Sequence, residues 1–566
     1  MKKLLFLFII GLMVLSYIYS FEQTDSEFYD FVEDIYIKYG LKDFSYTRPY
    51  NRKEIVEVLN NINKNKDNLT EIEKNILKRY RKKYSSYIED NNKKEYHLYS
   101  YERDEGNLYL DFVGKTGYVK NQYDLQTEKK LNYLIYTGGI TFKGNVTDYM
   151  DYYFYFRDET YNLEEKLSDV RGYFENRGRG WIASGFRVDK KEIYMDTTET
   201  YLDFYLPYTD IRIGKNNNSW GPGNKSNVMI SDNATSYVQF YDEIEIGKFQ
   251  LSSFTGGLRT YLMDPNTTIE LENGDTKQQY RKKYIAAHRL EISVLDNLKV
   301  GINESVIYAD KNLQLGYMIP FNFFWSEQHY EGDRDNSTMG ADVSFVPFRG
   351  VNLYGEIFID DLSVSELSDY KHSKFAYLGG INYYPHFVND IKLILEYSRV
   401  NPIVYTHRFN VDNFTHYRSN IGSFLYPNSD YLYAGINKNW TSKLQTEIYY
   451  FKKRHGDNYT DQSDEFVNVG GDMYTPHALS SESNIKENLN FLDGIKETTR
   501  KIGINLKYLI EWKNIYKSFS INNLFLKVNY ELSQYEQKLP DNIKTDSADR
   551  IDENLNSFEV LVEYNY

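Results

Sequence analysis

From Tyr96 onward the sequence is a series of segments in which apolar and polar residues alternate with a period of two. The connections between these segments alternate between short and long. No other feature narrows the fold as much. Side chains two apart share one face of a strand, so this period predicts strands with two unlike faces. Segments 139–142 and 149–156 flank a turn at 145–148, and 201–206 and 211–215 flank one at 207–210. Similar pairs are 289–294 with 298–308, 343–346 with 351–359, 375–384 with 391–399, and 431–436 with 444–451. Long connections rich in Asn, Asp, Ser and Gly separate the pairs, at 217–235, 309–340, 400–430 and 454–497. So much irregular polar chain is out of place in one compact soluble domain. Short turns at one end and long loops at the other are the layout of an outer-membrane β-barrel. The segments count to roughly 18 antiparallel strands, so the fold class is a mainly β transmembrane barrel with a small N-terminal helical domain.

The last segment is the most regular. Phe558, Val560, Val562, Tyr564 and Tyr566 alternate with Glu559, Leu561, Glu563 and Asn565. One face would meet lipid and the other the lumen. Such an aromatic closing strand also resembles the signal read by the barrel-insertion machinery. Composition agrees. Charged residues are 26% of the chain and aromatic ones 17%, with 57 Tyr. A polar lumen inside an apolar belt averages to a polar sequence, and its interfaces favour Tyr and Trp. At the other end, Lys2 and Lys3 precede an apolar run at 4–15, with small Ser16 and Ser20 after it. That is the pattern of a signal peptide over residues 1–20. There is no cysteine, which excludes a disulfide framework, a thiol nucleophile, a thiolate metal site and a lipoprotein anchor. The formal charge of −14 argues against nucleic acid as a partner.

Residues 21–92 read differently, as a helical domain on the periplasmic side of a barrel that fills 93–566. Phe28, Phe31, Val32, Ile35 and Tyr39 fall at helical spacing, and Gly40 ends that run. Asn51 with Glu54, and Thr70 with Glu73, are capping-box pairs that open two further helices.

The sequence offers no catalytic constellation, no metal site and no cofactor motif. Gly178, Gly180 and Ala183 match a dinucleotide fingerprint by spacing, but no βαβ unit surrounds them. Asp333, Asp335 and Ser337 begin like a calcium loop, yet Thr338 and Ser344 occupy its Gly and Glu positions. Glu356 and Asp360 share a strand face, while Asp361 turns away. They form an acidic stripe toward a barrel mouth, either solvated or facing a ligand. His288-Arg289 and Tyr405 with His407-Arg408 are further polar candidates. The segment Trp220-Gly221-Pro222-Gly223, followed by Ser231-Asp232-Asn233-Ala234, stands apart. Gly and Pro shape a defined loop, and a Trp ring can stack on sugar C–H groups while Asn and Asp take hydroxyls. The same loop could instead fold inward and constrict the barrel. The candidate polysaccharide-binding set is thus Trp220, Asp232, Asn233, His288, Arg289, Glu356, Asp360, Tyr405 and His407, with Gly221, Pro222 and Gly223 shaping the loop.

These residues also carry a resemblance. Arg48-Pro49 with Arg52 and Glu54, Ile213-Gly214-Lys215, Trp220 to Gly223 and Ser231 to Ala234 resemble the Wzi-type capsule assembly proteins of bacterial outer membranes. His288-Arg289-Leu290, Leu353-Tyr354-Gly355-Glu356 through Asp361, Glu396-Tyr397, Tyr405 to Arg408 and Pro427-Asn428-Ser429-Asp430 continue it in order. Many members carry Arg after the Asn-Ala pair, where this chain has Thr235. The resemblance implies an 18-stranded barrel plugged by loops, a periplasmic helical bundle, and a lectin-like role in holding capsular or other extracellular polysaccharide. Outer-membrane lipids and the barrel-insertion machinery are the other implied partners. A solute porin and a surface adhesin are the competing readings. They differ from the first in an open lumen or a host ligand.

Overall fold

The alternating segments close on themselves. In the computed structural model, residues 27–564 are described apart from 43, 86–87, 89–96, 125–128, 166–180, 183–190, 226, 477–484, 517–518 and 544–551. Residues 1–20, expected to be a signal peptide, the Gly178–Ala183 match, Ser226 and Tyr566 therefore lie outside the described residues. Eighteen antiparallel strands form a closed barrel. They are β1 (Gly106–Asp124), β2 (Lys129–Val146), β3 (Met150–Leu163), β4 (Glu192–Tyr205), β5 (Asp210–Asn216) and β6 (Tyr237–Ile246). Next come β7 (Phe249–Glu270), β8 (Thr276–Leu295), β9 (Leu298–Ala309), β10 (Asn336–Phe348), β11 (Val351–Asp361) and β12 (Lys374–Tyr383). The ring ends with β13 (Ile391–Val400), β14 (Ser429–Asn439), β15 (Leu444–Asp457), β16 (Ile495–Tyr516), β17 (Phe519–Lys538) and β18 (Asp552–Tyr564). β18 closes the ring by pairing with β1 from Phe558↔Lys120 to Tyr564↔Gly114. Tyr99–Arg103 pairs with the start of β1 and prolongs the line of β18.

Among the described residues three α-helices precede the barrel, α1 (Glu27–Tyr39), α2 (Arg52–Lys64) and α3 (Glu71–Lys83). Their starts and stops follow local chemistry. Gly40 adopts φ +64° just after α1, a conformation that a Cβ disfavours. Asn51 caps α2, and Glu54 reaches back to the Asn51 N–H at 2.6 Å. Thr70 and Glu73 do the same for α3. Phe28, Val32, Ile35, Leu59, Ile62 and Leu77 meet in one apolar core. This bundle docks on the short-turn end, which is periplasmic in outer-membrane barrels. Lys53 pairs with Asp210 at 2.7 Å, Thr70 donates to Asp390 at 2.8 Å, and Arg79 donates to the Ser442 carbonyl at 2.9 Å.

Candidate functional site

Two features fill the lumen, one from each end. From the short-turn end, residues 45–50 run up into the barrel. The Tyr46 N–H donates to Glu291 at 3.0 Å, and the Tyr46 hydroxyl lies 2.9 Å from Ser344 Oγ. Arg289, buried in the wall, donates to Thr47 Oγ1 at 3.1 Å. The same guanidinium grips Asp342 through two nitrogens and Glu291 at 3.0 Å. A buried cation held by two carboxylates and a hydroxyl is satisfied at every side of its planar fork.

From the other end comes the connection after β5. Thr47 and Arg48 pair with Trp220 and Ser219 as a two-residue antiparallel ladder, and the Gly221 N–H donates to the Tyr46 carbonyl at 3.1 Å. Beyond that ladder, wall carboxylates hold the loop by its backbone. Glu356 accepts from the Gly223 and Val228 N–H groups at 3.0 and 2.8 Å. Glu396 accepts from the Asn224 and Lys225 N–H groups at 2.7 and 3.0 Å. Gly221 has φ +120°, and a Cβ there would stand 2.5 Å from Glu356 Oε1. Glycine is what lets the chain pass this close to the carboxylate. Trp220 itself is 1% exposed and packs edge-on against Phe254 at 5.2 Å. Val228, Met229 and Ile230 complete a dry core inside the barrel.

The connection after β13 lies on top. The Tyr405 N–H donates to Asp360 at 2.8 Å, and its hydroxyl donates to the Val228 carbonyl at 2.7 Å. Asn233 reaches the Asn420 carbonyl at 2.9 Å, and Ser231 bonds the Ile421 backbone. Asn413 reaches across to the Met473 carbonyl at 2.9 Å, which ties in the connection after β15. These inward loops seal one side of the lumen. Along the opposite wall the side chains are charged and only partly covered. Lys225–Glu447, Lys501–Glu531 and Lys527–Glu563 pair at 2.8, 2.8 and 2.6 Å, with 15–38% of each side chain exposed.

At the outer mouth, Phe409 is 42% exposed. The Arg334 and Arg408 guanidinium groups each lie 5.3 Å from its ring, and the His407 ring lies 5.7 Å away. Burial, with Lys374 and Arg408 beside it, pushes the His407 pKa down to about 4, so its imidazole is neutral at pH 7. His416 is pushed down to about 3 by burial and then by Lys283, and its Nδ1 accepts from the Arg259 N–H at 3.0 Å.

The sequence candidates therefore separate into four places. Trp220, Gly221, Pro222, Gly223, Asn233, Glu356, Asp360 and Tyr405 build the plug. The Trp220 ring is covered in this conformation, so a sugar cannot stack on it, and the inward-folding alternative describes the loop. Arg289 anchors the N-terminal segment. His288, its neighbour, points to the other face of the wall, 3.2 Å from Glu304. Only His407 stays near the mouth, and Asp232 is half-buried between the plug residues Ser231 and Asn233.

The model of the family described as capsule assembly protein Wzi matches residues 103–510. The chain belongs to the Wzi family. It is an outer-membrane barrel associated with the capsule. Among solved structures it is similar to Wzi of Escherichia coli, described as an outer-membrane protein involved in group 1 capsule assembly and a carbohydrate-binding β-barrel. The identity is 12% and the TM-score 0.55, over 97% of this chain and 100% of that one, so the likeness shows a shared fold. OprD of Pseudomonas aeruginosa aligns at 10% identity and TM-score 0.42, over 81% of this chain and 92% of that one. OccAB2 of Acinetobacter baumannii aligns at 11% and 0.42, over 82% and 99%. No curated protein matches the sequence. Within this Wzi-family barrel, sequence reasoning named Glu396 only as part of the resemblance and gave it no role, although it is the partner of Glu356 in clamping the loop. That reasoning missed Phe409 and Arg334, which come together only in space. An isolated Glu among apolar strand residues, as at 396, was the available signal.

Proposed function

We propose that the barrel binds surface polysaccharide, capsular polysaccharide in particular, at its outer mouth and holds it at the cell surface without catalysing a reaction on it. The observation that carries this reading is the Phe409 cluster at the mouth above the plug. An exposed ring offers an apolar face to sugar C–H groups, and flanking guanidinium groups donate to hydroxyls or carboxylates. The Trp220 loop acts here as the floor that keeps the mouth loops in place. Each contact is weak, and repeats along a polymer raise the avidity. The family membership and the carbohydrate binding described for the Escherichia coli protein support the reading. It takes residues 1–20 as a signal peptide, 21–92 as a periplasmic domain and 93–566 as the barrel. It also takes Phe558, Val560, Val562, Tyr564 and Tyr566 as the strand read by the insertion machinery.

A second reading, a solute porin, has one observation in its favour, the partly exposed charged ladder from Lys225 to Glu563. Planar-bilayer conductance separates the two. Small or absent currents favour the polysaccharide reading, whereas large steady currents favour the porin. The direct test is binding of purified capsular polysaccharide to folded protein, with heat-modifiable migration as the folding control. Phe409→Ala combined with Arg408→Ala should cost about 1–3 kcal/mol per binding unit. Unchanged binding would remove the cluster from the site.

A further inference from the structure

One long outer connection turns the other way. Residues 313–330, in the connection between β9 and β10, lie against the outside of the wall rather than in the lumen. The alternation of the strands shows this directly. Ile285, Ala287 and Ile307 belong to the lumenal core with Trp220 and Phe254. Their immediate neighbours Ala286, Val306 and Tyr308 belong to a separate cluster with Tyr317 and Phe324 of the connection. Successive strand residues point to opposite faces, so Tyr317 and Phe324 sit on the face that the lumen does not own. A short helix, Phe324–Tyr330, carries the second contact. Its Trp325 N–H donates to Glu304 at 2.8 Å, and Gln328 accepts from the Ser337 N–H at 3.1 Å.

What this strap covers is a polar pair in an apolar surface. Glu304 and His288 are cross-strand partners on the outer face, 3.2 Å apart, with the Phe324 ring 4.4 Å from the imidazole. Two residues nearer the short turns, Ile302 on the same face is 53% exposed, in register with Ala341 and then Ile357. That step is about 7 Å along a strand, so the pair lies beside the belt of apolar outward side chains. The strap's far side is apolar in turn. Leu315 and Phe321 are 76% exposed, and Ile319, Phe323 and Trp325 are each about half exposed. Residues 312–326 contain no charged side chain, in a chain that is 26% charged.

We propose that residues 313–325 are a lipid-embedded strap. Its outward side chains enter the outer leaflet and meet acyl chains, while its inward side chains keep the His288–Glu304 pair out of lipid. The lipid is the occupant that the place selects, because the strap continues the apolar outer wall and offers no charge to a soluble partner. Aromatic side chains at such a boundary are the usual interfacial anchors of membrane barrels.

The absence of cysteine makes the test clean. Phe321→Cys, Ile302→Cys and Tyr208→Cys each carry one nitrobenzoxadiazole label, on the strap, the belt and a short turn respectively. The labelled full-length proteins are placed in phosphatidylcholine nanodiscs containing either headgroup-proximal doxyl lipid or none, and iodide is added from water. The strap label should behave like the Ile302 label, with several-fold stronger doxyl quenching than the Tyr208 label and little iodide quenching. Iodide quenching equal to that at Tyr208, with no doxyl effect, overturns the proposal. So does cysteine crosslinking between Phe321→Cys copies without doxyl quenching, which would make a second copy the occupant. Heat-modifiable migration confirms that each labelled variant is folded.

Discussion

Glu356 should be the residue whose loss opens the plug. Its carboxylate accepts from the Gly223 and Val228 N–H groups, and both bonds lie in a buried site. A buried backbone N–H left without its acceptor costs about 1–3 kcal/mol. Glu356→Ala removes both bonds and leaves two buried donors without a partner, so the docked loop should lose about 3–5 kcal/mol. That shifts the balance between docked and undocked loop by roughly two to four decades. Glu356→Gln keeps one acceptor oxygen, so it should lose about half as much. Gly221→Ala should mimic the effect from the loop side, because its Cβ would displace the same carboxylate. The assay is single-channel conductance in planar bilayers, paired with limited proteolysis within 217–236. Wild type should be nearly closed and resistant, Glu356→Ala leaky and cut. If folded Glu356→Ala is as closed and as resistant as wild type, the apolar packing of Trp220, Val228 and Ile230 holds the loop alone and the clamp argument fails.

Three further outcomes are expected. Trp220→Ala empties a buried site, costs about 3–5 kcal/mol, and should lower polysaccharide retention only as far as protease sensitivity of the plug rises. Arg289→Met strands Asp342 and Glu291 in the wall, costs about 3–5 kcal/mol, and should speed amide exchange of residues 45–50. Acid should loosen the mouth. His407 and His416 have pKa values depressed below that of an unfolded histidine, so the undocked loop binds more protons as pH falls. The histidine contribution to docking of 401–428 is then fully present above about pH 6.5 and weakens as pH drops toward 4, while Asp412, raised to about 7 by burial, acts in the opposite sense. Proteolysis across that range should show it, and His407→Gln with His416→Gln should flatten it.

Much of this molecule is written in local patterns. The capping pairs Asn51/Glu54 and Thr70/Glu73 mark helix starts because a cap needs only four residues to act. The period of two marks the strands because each wall has two unlike faces. Direction is harder to read. Alternation places His288 and Arg289 on opposite faces, yet both are covered, one by the strap and one by the N-terminal segment, so polarity does not tell which is inside. The long connections after β5 and β9 both read as polar or mixed loops, and one enters the lumen while the other lies on the wall. That choice depends on Glu356 and Glu396, which lie 133 and 172 residues from the loop positions they hold. No local spacing records such a contact, and for the same reason a Trp in a Gly-Pro loop looks like an exposed ring when it is a buried one.

The two-residue ladder joining Thr47 and Arg48 to Trp220 and Ser219 has a mechanical meaning. It is the weld between a segment rooted in the N-terminal helical bundle and a loop that carries the floor of the mouth. If a polymer is held at the mouth, tension on it passes through the mouth loops to the plug. From the plug it divides between the wall carboxylates and this weld. The helices behind it then act as a washer on the far side of the hole, spreading the load over the rim of short turns instead of concentrating it on one loop.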